Sequence, residues 1–438
     1  MKLIKSKAEY LPQQKGLEGI YKQIEFAARV CYKSENNIID VLEVDISTLP
    51  LGITVNDVPD YKSNPEQAVS FCEKHGIKYK IISSAKDFVE KLYKNNHTAM
   101  LEHGTVYLMV HTINPKEWDS TIGRHKLATI DSCRDDLRTN PTYDKYGRKN
   151  WWAEEARHKA HVMAVKYADN PYSKVKIVLS QHEVNAEGGA ILTPTEGTLA
   201  ITKGSGKLIS VFNTILISTN LRVLVENNWL DDLQYLCEPT TFHEKRLSVK
   251  VVTSIGIVRE LLRHRKFSFA NESTRYCNYS KERHGGEITF IMPKFWENVF
   301  GINTNNTYFC KLDNQAGVIV TNEKGEEVNF NFVRNKLLCS IIINLLETEY
   351  QYLLMTNYKF SGKFLYAQQA REILPLCTKS ELVMTGFESD WRHFFDLRLF
   401  GKTGEPHPDM KHLAELIKEQ FEINGLWDDI MKYPSEFE

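Results

Sequence analysis

The sequence predicts an α+β fold, and three features predict it. Apolar residues recur at helical spacing near both ends of the chain. Runs rich in β-branched and aromatic residues stand between those helices as strands. The middle of the chain reads as short strands separated by turns that contain glycine.

Residues 17–32, "LEGIYKQIEFAARVCY", place Ile20, Ile24, Ala27, Ala28 and Cys31 on one helical face. A second helix is predicted at 86–95, ended by the polar "NNHT", after which "GTVYLMVHT" reads as a strand. Between 113 and 247 the character changes. "DDLRTNPTYDKYGRKN" is rich in turn residues, and "EVNAEGGAILTPTEGTLAITKGSGKLISV" alternates short strands with turns. "ILISTNLRVLVEN" reads as a strand and "WLDDLQYLC" as a short helix.

"LSVKVVTSIGIVRELLRHR" begins as a strand and turns helical through Ile257, Leu261 and Leu262. The clearest long helix spans 331–357. Another is predicted over 361–374, with Ser361 as N-cap and Pro375 as its stop. Residues 389–400 put Trp391, Phe394, Phe395 and Arg398 on one face, and a last helix covers 408–422. No internal repeat or low-complexity tract is visible.

The 438 residues exceed one average domain without requiring several. An apolar fraction of 42% is ample for a large core and excludes wholesale disorder. A formal net charge of −1 argues against bulk electrostatic coating of nucleic acid, so any basic site is local. The eight cysteines form no C-x-x-C pair and no disulfide framework, which reads as free thiols in a reducing cytosol. The start, "MKLIKSKAEYLPQQ", has no apolar h-region, and no run of 18 apolar residues occurs. A soluble, cytoplasmic protein is expected, with no membrane partner.

The densest local charge lies in "RHRKFSFANESTRY", residues 263–276. Three cationic or basic groups, Arg263, His264 and Arg265, are followed by Ser273, Thr274 and Arg275, with Glu272 as the only acid. A charge run usually faces water. Here Leu261 and Leu262 precede the cluster and Phe267 and Phe269 interleave with it, which draws part of it inward. A partly buried guanidinium is costly unless an anion pairs with it, and its planar fork suits phosphate. Neighbouring hydroxyls and backbone N–H groups complete a phosphate cradle. The residues therefore describe a site for one or more phosphorylated small molecules, without naming them.

"HTAMLEH" (97–103) offers His97, Glu102 and His103, but not at zincin spacing, so no metal site is expected. Taken alone, these residues serve a structural or a functional role equally well. Arg371 lies in the largely apolar "QQAREILPL", Arg398 on an aromatic helix face, and His407 follows in "EPHPDM". Each arginine alone is explained by a neighbouring carboxylate. Several of them on apolar faces are costly unless they converge on anions.

The pattern R-H-R, seven residues, Ser (Arg263-His264-Arg265, "KFSFANE", Ser273) resembles the signature of the flavin-dependent thymidylate synthases. Other stretches match that family in order. They are "FAARVCY" (26–32), "HTAMLEH", "VRELLRHR" (258–265), "AREILP" (370–375), and "WRHFFDLR" (391–398) followed by "HPD". The resemblance covers 1–112 and 248–438, expected to form one discontinuous catalytic domain. It leaves 113–247 as a large mixed insertion of unknown role.

The resemblance implies a central, mostly antiparallel sheet with flanking helices, and a homotetramer with sites at subunit interfaces. It implies reductive methylation of dUMP to dTMP, with methylenetetrahydrofolate as one-carbon donor and NADPH as reductant through FAD. No cysteine nucleophile takes part. It places His97, Glu102, Arg263, His264, Arg265, Asn271, His393 and His407 with the flavin. Glu260, Arg263, Asn271, Ser273, Thr274, Arg275, Arg371 and Arg398 fall at dUMP-binding positions, and Arg398 also matches the arginine that favours ionisation of the uracil ring. Arginine stays protonated, so that role is charge stabilisation rather than proton abstraction.

Three positions depart from the family pattern. Ala99 replaces a usual Ser or Thr, Asn271 a usual Glu or Gln, and Phe387 a frequent Asn. Ala99 and Asn271 leave a second reading, a homologue that binds nucleotide and flavin without turnover. A nucleic-acid-binding module built on the basic motif is disfavoured by the near-neutral charge.

Overall fold

The structure is a computed structural model that describes residues 1–61, 64–111, 162–184, 190–194, 208–312, 318–328, 335–360 and 362–437. It divides into two compact units. Met1–Gly104 with Leu247–Glu438 form the first, and Thr105–Arg246 the second. Both helices and strands are abundant, so the fold is α+β. Among the described residues no helix is long and apolar enough to cross a membrane.

Among the described residues the first unit holds two four-stranded sheets and two two-stranded ones, where the resemblance implied a central sheet. The sheet that positions the basic motif has the order Ser268–Asn271, Lys379–Phe387, Arg246–Ser254, Lys7–Leu11. Ser268 pairs antiparallel with Thr385 and Asn271 with Leu382. Lys7–Leu11 runs antiparallel to the 246–254 strand, Lys7 opposite Val252.

Strand residues alternate between the faces of a sheet. Leu382 and Met384 enter a core with Trp391, Phe394, Leu413 and Phe421, whereas Val383 packs with Ala27, Val30 and Ala270 on the opposite face. The 379–387 strand is therefore buried on both sides, with Leu382, Val383 and Met384 consecutive and apolar at its centre. The helix Gly16–Tyr32 covers one face, and Glu388–Arg398 with Pro408–Ile423 cover the other.

The second sheet has the order Thr289–Ile291, Lys2–Ile4, Tyr308–Leu312, Val318–Thr321. Its core includes Phe290, Tyr308 and Val320, closed by Leu338, Ile342 and Tyr352 of the helix Lys336–Asn357.

In the second unit, Thr105–His111, Leu208–Asn220, Lys174–Val184 and Ala190–Pro194 form an antiparallel sheet in that order. The expected turns of 135–150 lie outside the described residues. The 105–111 strand pairs with 208–220, His111 opposite Thr214, and so falls in this unit.

Two element readings change. "ILISTNLRVLVEN" is a strand only to Asn220, whose side-chain oxygen accepts from Val223 N at 3.2 Å and starts the helix Leu221–Glu226. That capping bond outweighs the β-branched content of the segment. The helix expected over 361–374 is reduced to Ala367–Ala370 and a 3₁₀ turn at Arg371–Ile373. Lys359–Phe360 and Lys363–Phe364 instead pair as a hairpin around Gly362, whose φ of 80° suits glycine. Ser361, the expected cap, lies outside the described residues.

Candidate functional site

The basic motif is delivered by a strand, a short helix and a tight reversal. Ser254 Oγ accepts from Ile257 N at 3.3 Å and caps the helix Ile255–Leu261. Leu261 anchors that helix in the core, while Leu262 is 40% exposed, contrary to its apolar spacing. The chain then turns, His264 N donating to Leu261 O at 3.0 Å and Phe267 N to His264 O at 3.1 Å. Phe267 seats directly over Gly386, where a Cβ would lie 2.5 Å from its ring. Glycine is required there for close approach rather than for its backbone angles.

This turn buries His264 and leaves Arg263 and Arg265 exposed. Neither arginine pairs with a carboxylate among the described residues. His264 packs edge-on against Phe394, ring centroids 5.1 Å apart. Arg398, at the end of the 388–398 helix, donates from Nε to His264 Nε2 at 3.0 Å and from Nη1 to Glu260 Oε2 at 3.2 Å. An imidazole nitrogen that accepts carries no proton, so His264 is neutral with its hydrogen on Nδ1. Burial, followed by the charges of Arg398 and His393, pulls the His264 pKa down to about 4. Arg398 Nη2 takes no partner among the described residues and is the donor left for a ligand.

A second group lies in the stretch after the 268–271 strand. Ser273 N donates to Cys31 O at 2.8 Å, joining this stretch to the end of the 16–32 helix. Arg371 Nη1 donates to Thr274 Oγ1 at 3.2 Å. Asn271 Oδ1 accepts from Ser380 Oγ at 3.0 Å. Arg275 is exposed, its guanidinium 5.5 Å from the Tyr276 ring centroid.

The structure thus joins Glu260, His264 and Arg398 in one hydrogen-bonded group and Thr274 with Arg371 in another. His393 Nδ1 lies 3.0 Å from Glu436 Oε2, and its ring stacks on Phe437. His97 is exposed beyond the helix Ala85–Lys94, and Glu102 is half-buried. His407 is exposed, its Nδ1 accepting from Asp409 N at 3.2 Å at the head of the 408–423 helix. Neither His97 nor His407 is hydrogen-bonded to the Arg398 group.

The sequence reading missed the residues that hold these groups in place. His103 Nδ1 and Ser248 Oγ lie 2.8 and 2.7 Å from Thr385 Oγ1, pinning "HTAMLEH" to the sheet. His103 was visible within that motif, but Thr385 and Ser380 carry no signal until the strands are paired. Ala99, where the family has a hydroxyl, is exposed, and Phe387 is buried.

A buried neutral histidine, a half-buried arginine fixed by two acceptors, and exposed arginines near hydroxyls are groups whose chemistry suits anions. The guanidinium and hydroxyl donors fit phosphate. Residues 216–423 match the family model described as thymidylate synthase complementing protein. A flavin-dependent thymidylate synthase from Corynebacterium aurimucosum is 29% identical over 174 residues, 39% of this chain and 55% of that protein. The chain thus spans about half the length of the curated relative it matches.

Among solved structures, the UMP/dUMP methylase PolB from Streptomyces cacaoi, bound with 5-Br dUMP, is 20% identical. The match covers 43% of this chain and 71% of that one, with a TM-score of 0.29. Thymidylate synthase X from Helicobacter pylori, with FAD and dUMP, is 18% identical over 43% of this chain and 74% of that one, with a TM-score of 0.22. The flavin-dependent thymidylate synthases are therefore the family this chain resembles. The family match contains the whole basic motif, Arg371, Arg398 and His407. It begins at 216, inside the stretch read from the sequence as an insertion, and it does not extend to 1–112.

Proposed function

We propose that this protein is an FAD-dependent thymidylate synthase that converts dUMP to dTMP, with methylenetetrahydrofolate as one-carbon donor and NADPH as reductant. The observation that carries this reading is the hydrogen-bonded group in which Arg398 joins Glu260 to His264, the central residue of the R-H-R signature. Bound FAD supplies hydride chemistry that side chains cannot. Arg263 and Arg265 are free to meet its anionic parts, with His264 toward the ring. Glu102, Asn271, His393 and His407 complete the flavin side by resemblance, and His97 stands with them from "HTAMLEH".

On the nucleotide side, Ser273, Thr274, Arg275 and Arg371 receive the phosphate, as hydroxyl and guanidinium donors suit it. A guanidinium is a cationic donor, so Arg398 Nη2 stabilises negative charge developing on the pyrimidine. The electron-rich ring then attacks the one-carbon unit without a protein thiol. His264, neutral and accepting, holds the Arg398 fork in orientation. Glu260 fixes the other side of that fork.

The first unit is the catalytic domain in this reading, and Thr105–Arg246, wider at its start than the 113–247 read from the sequence, is the insertion. Homotetramer formation would bring His97 and His407 of neighbouring copies to the sites. A cytoplasmic location follows from the substrates.

The test is an absorption spectrum of the purified protein followed by dUMP-dependent NADPH oxidation. A flavin spectrum bleached by NADPH and restored in air, with turnover on dUMP, is expected. A colourless protein that takes up no added FAD overturns the proposal.

A further inference from the structure

Glu272 is the one acid in the basic motif, and nothing in the proposed chemistry uses it. It is 2% exposed. Its Oε1 accepts from Tyr279 OH at 3.0 Å and lies 3.6 Å from Lys33 Nζ. Its Oε2 accepts from Glu381 N at 3.0 Å and lies 3.2 Å from Lys379 Nζ. A buried carboxylate with both oxygens engaged by two cations, a phenol and an amide is a built anchor.

The anchor's partners come from three separate elements. Lys33 is the left-handed C-cap residue of the 16–32 helix, with φ 47°. Lys379 and Glu381 begin the 379–387 strand, and Tyr279 lies beyond the basic motif. Glu272 N also donates to Glu381 O at 2.7 Å. The next residue, Ser273, donates its N–H to Cys31 O, next to Lys33 but one along the chain. Glu381 is held in turn by Lys250 at 2.9 Å and by Lys379. The stretch Ser273–Arg275 therefore leaves from a point fixed on two sides, between the helix end and the sheet.

We propose that Glu272 is a positioning residue that sets Ser273, Thr274 and Arg275 for the nucleotide phosphate. It touches no substrate. It acts by clamping the backbone from which those three donors project, and it lies on the side of the nucleotide rather than of the flavin. This rests on the nucleotide-site reading above. Small displacements of positioning groups cost binding steeply, because hydrogen bonds weaken quickly with misalignment.

The test uses flavin-loaded, full-length Glu272→Gln, which keeps shape and removes charge. Equilibrium dialysis with labelled dUMP, flavin absorbance and steady-state kinetics are read together. Expected is dUMP binding weakened about 10-fold, KM for dUMP raised to match, and kcat and flavin content close to those of the parent. Equal dUMP affinity in parent and variant overturns the role of Glu272 and leaves the functional reading standing. A parent that binds no dUMP sinks that reading, and this inference with it. Parallel loss of flavin and dUMP also overturns it, since a merely structural carboxylate would behave so. If Glu272→Gln fails to fold, Tyr279→Phe and Lys33→Met decide. Each removes one partner and is expected to weaken dUMP about 3-fold with flavin retained; unchanged affinity in both overturns the proposal.

Discussion

Arg398 donates to His264 across 134 positions of sequence, Nε to Nε2 at 3.0 Å. One residue thereby links the flavin side of the proposed site to the nucleotide side. The bond also fixes which nitrogen of His264 carries a proton.

The first prediction concerns that proton. NMR titration of His264 is expected to give a pKa of about 4, with hydrogen on Nδ1 between that value and neutrality. Arg398→Met removes a repelling charge and is expected to raise the pKa toward 6.5, leaving burial as the main remaining cause. The folded protein resists protonating this ring more than the unfolded chain does. Stability therefore falls as pH drops from 6.5 to about 4, by on the order of 3 kcal/mol. An observed pKa near 6.5 in the parent would show that neither burial nor the Arg398 charge acts on this ring.

Arg398→Lys tests geometry against charge. Lysine keeps the positive charge and loses the planar fork that engages Glu260 and His264 while leaving Nη2 for a ligand. Turnover of dUMP is expected to fall about 100-fold or more, the scale of losing a transition-state donor. The circular dichroism spectrum should match the parent. Near-normal turnover would show that only charge matters.

Cys277→Ala separates this chemistry from nucleophilic catalysis. Cys277 is fully buried, and burial, reinforced by the Glu272 charge, pushes its thiol up to about 11. A thiol so protonated is a poor nucleophile. Turnover is expected to stay within about 2-fold of the parent. Abolished turnover with intact flavin and dUMP binding would contradict the proposed mechanism.

Gly386→Ala addresses the seat of Phe267. The added methyl would lie 2.5 Å from two ring carbons, in a core that includes Trp391 and Phe394. Overpacking of this kind costs about 1–3 kcal/mol, read as a lowered urea midpoint with unchanged slope. A midpoint equal to the parent's would mean the ring moves aside freely.

How much of this was legible in the sequence depends on the distance over which each residue is satisfied. The 388–398 helix could be read because its period is local, and so could the change from strand to helix before Arg263. Arg398 could be singled out as an arginine on an aromatic face. Its partners could not, since Glu260 and His264 approach only after the 255–261 helix and the 388–398 helix pack on the same sheet. Glu272 read as a lone acid among cations because Lys33 and Lys379 lie far away in sequence. The hairpin at 359–364 was missed because apolar spacing suggested a helix, whereas the glycine at 362 favours a reversal.

The division of the first unit into two stretches bears on the order of its birth. The 142 residues from Thr105 to Arg246 separate its halves. Lys33 leaves the ribosome 346 positions before Lys379, its companion on Glu272. At typical bacterial-to-eukaryotic synthesis rates that interval is roughly 20–70 s. Until the 379–387 strand arrives, the basic motif has neither its sheet neighbour nor its full set of counter-charges. The second unit, contiguous in sequence, has all its described strands far sooner. The second unit is thus set to be complete before the charge cluster around Glu272, which waits for Lys379.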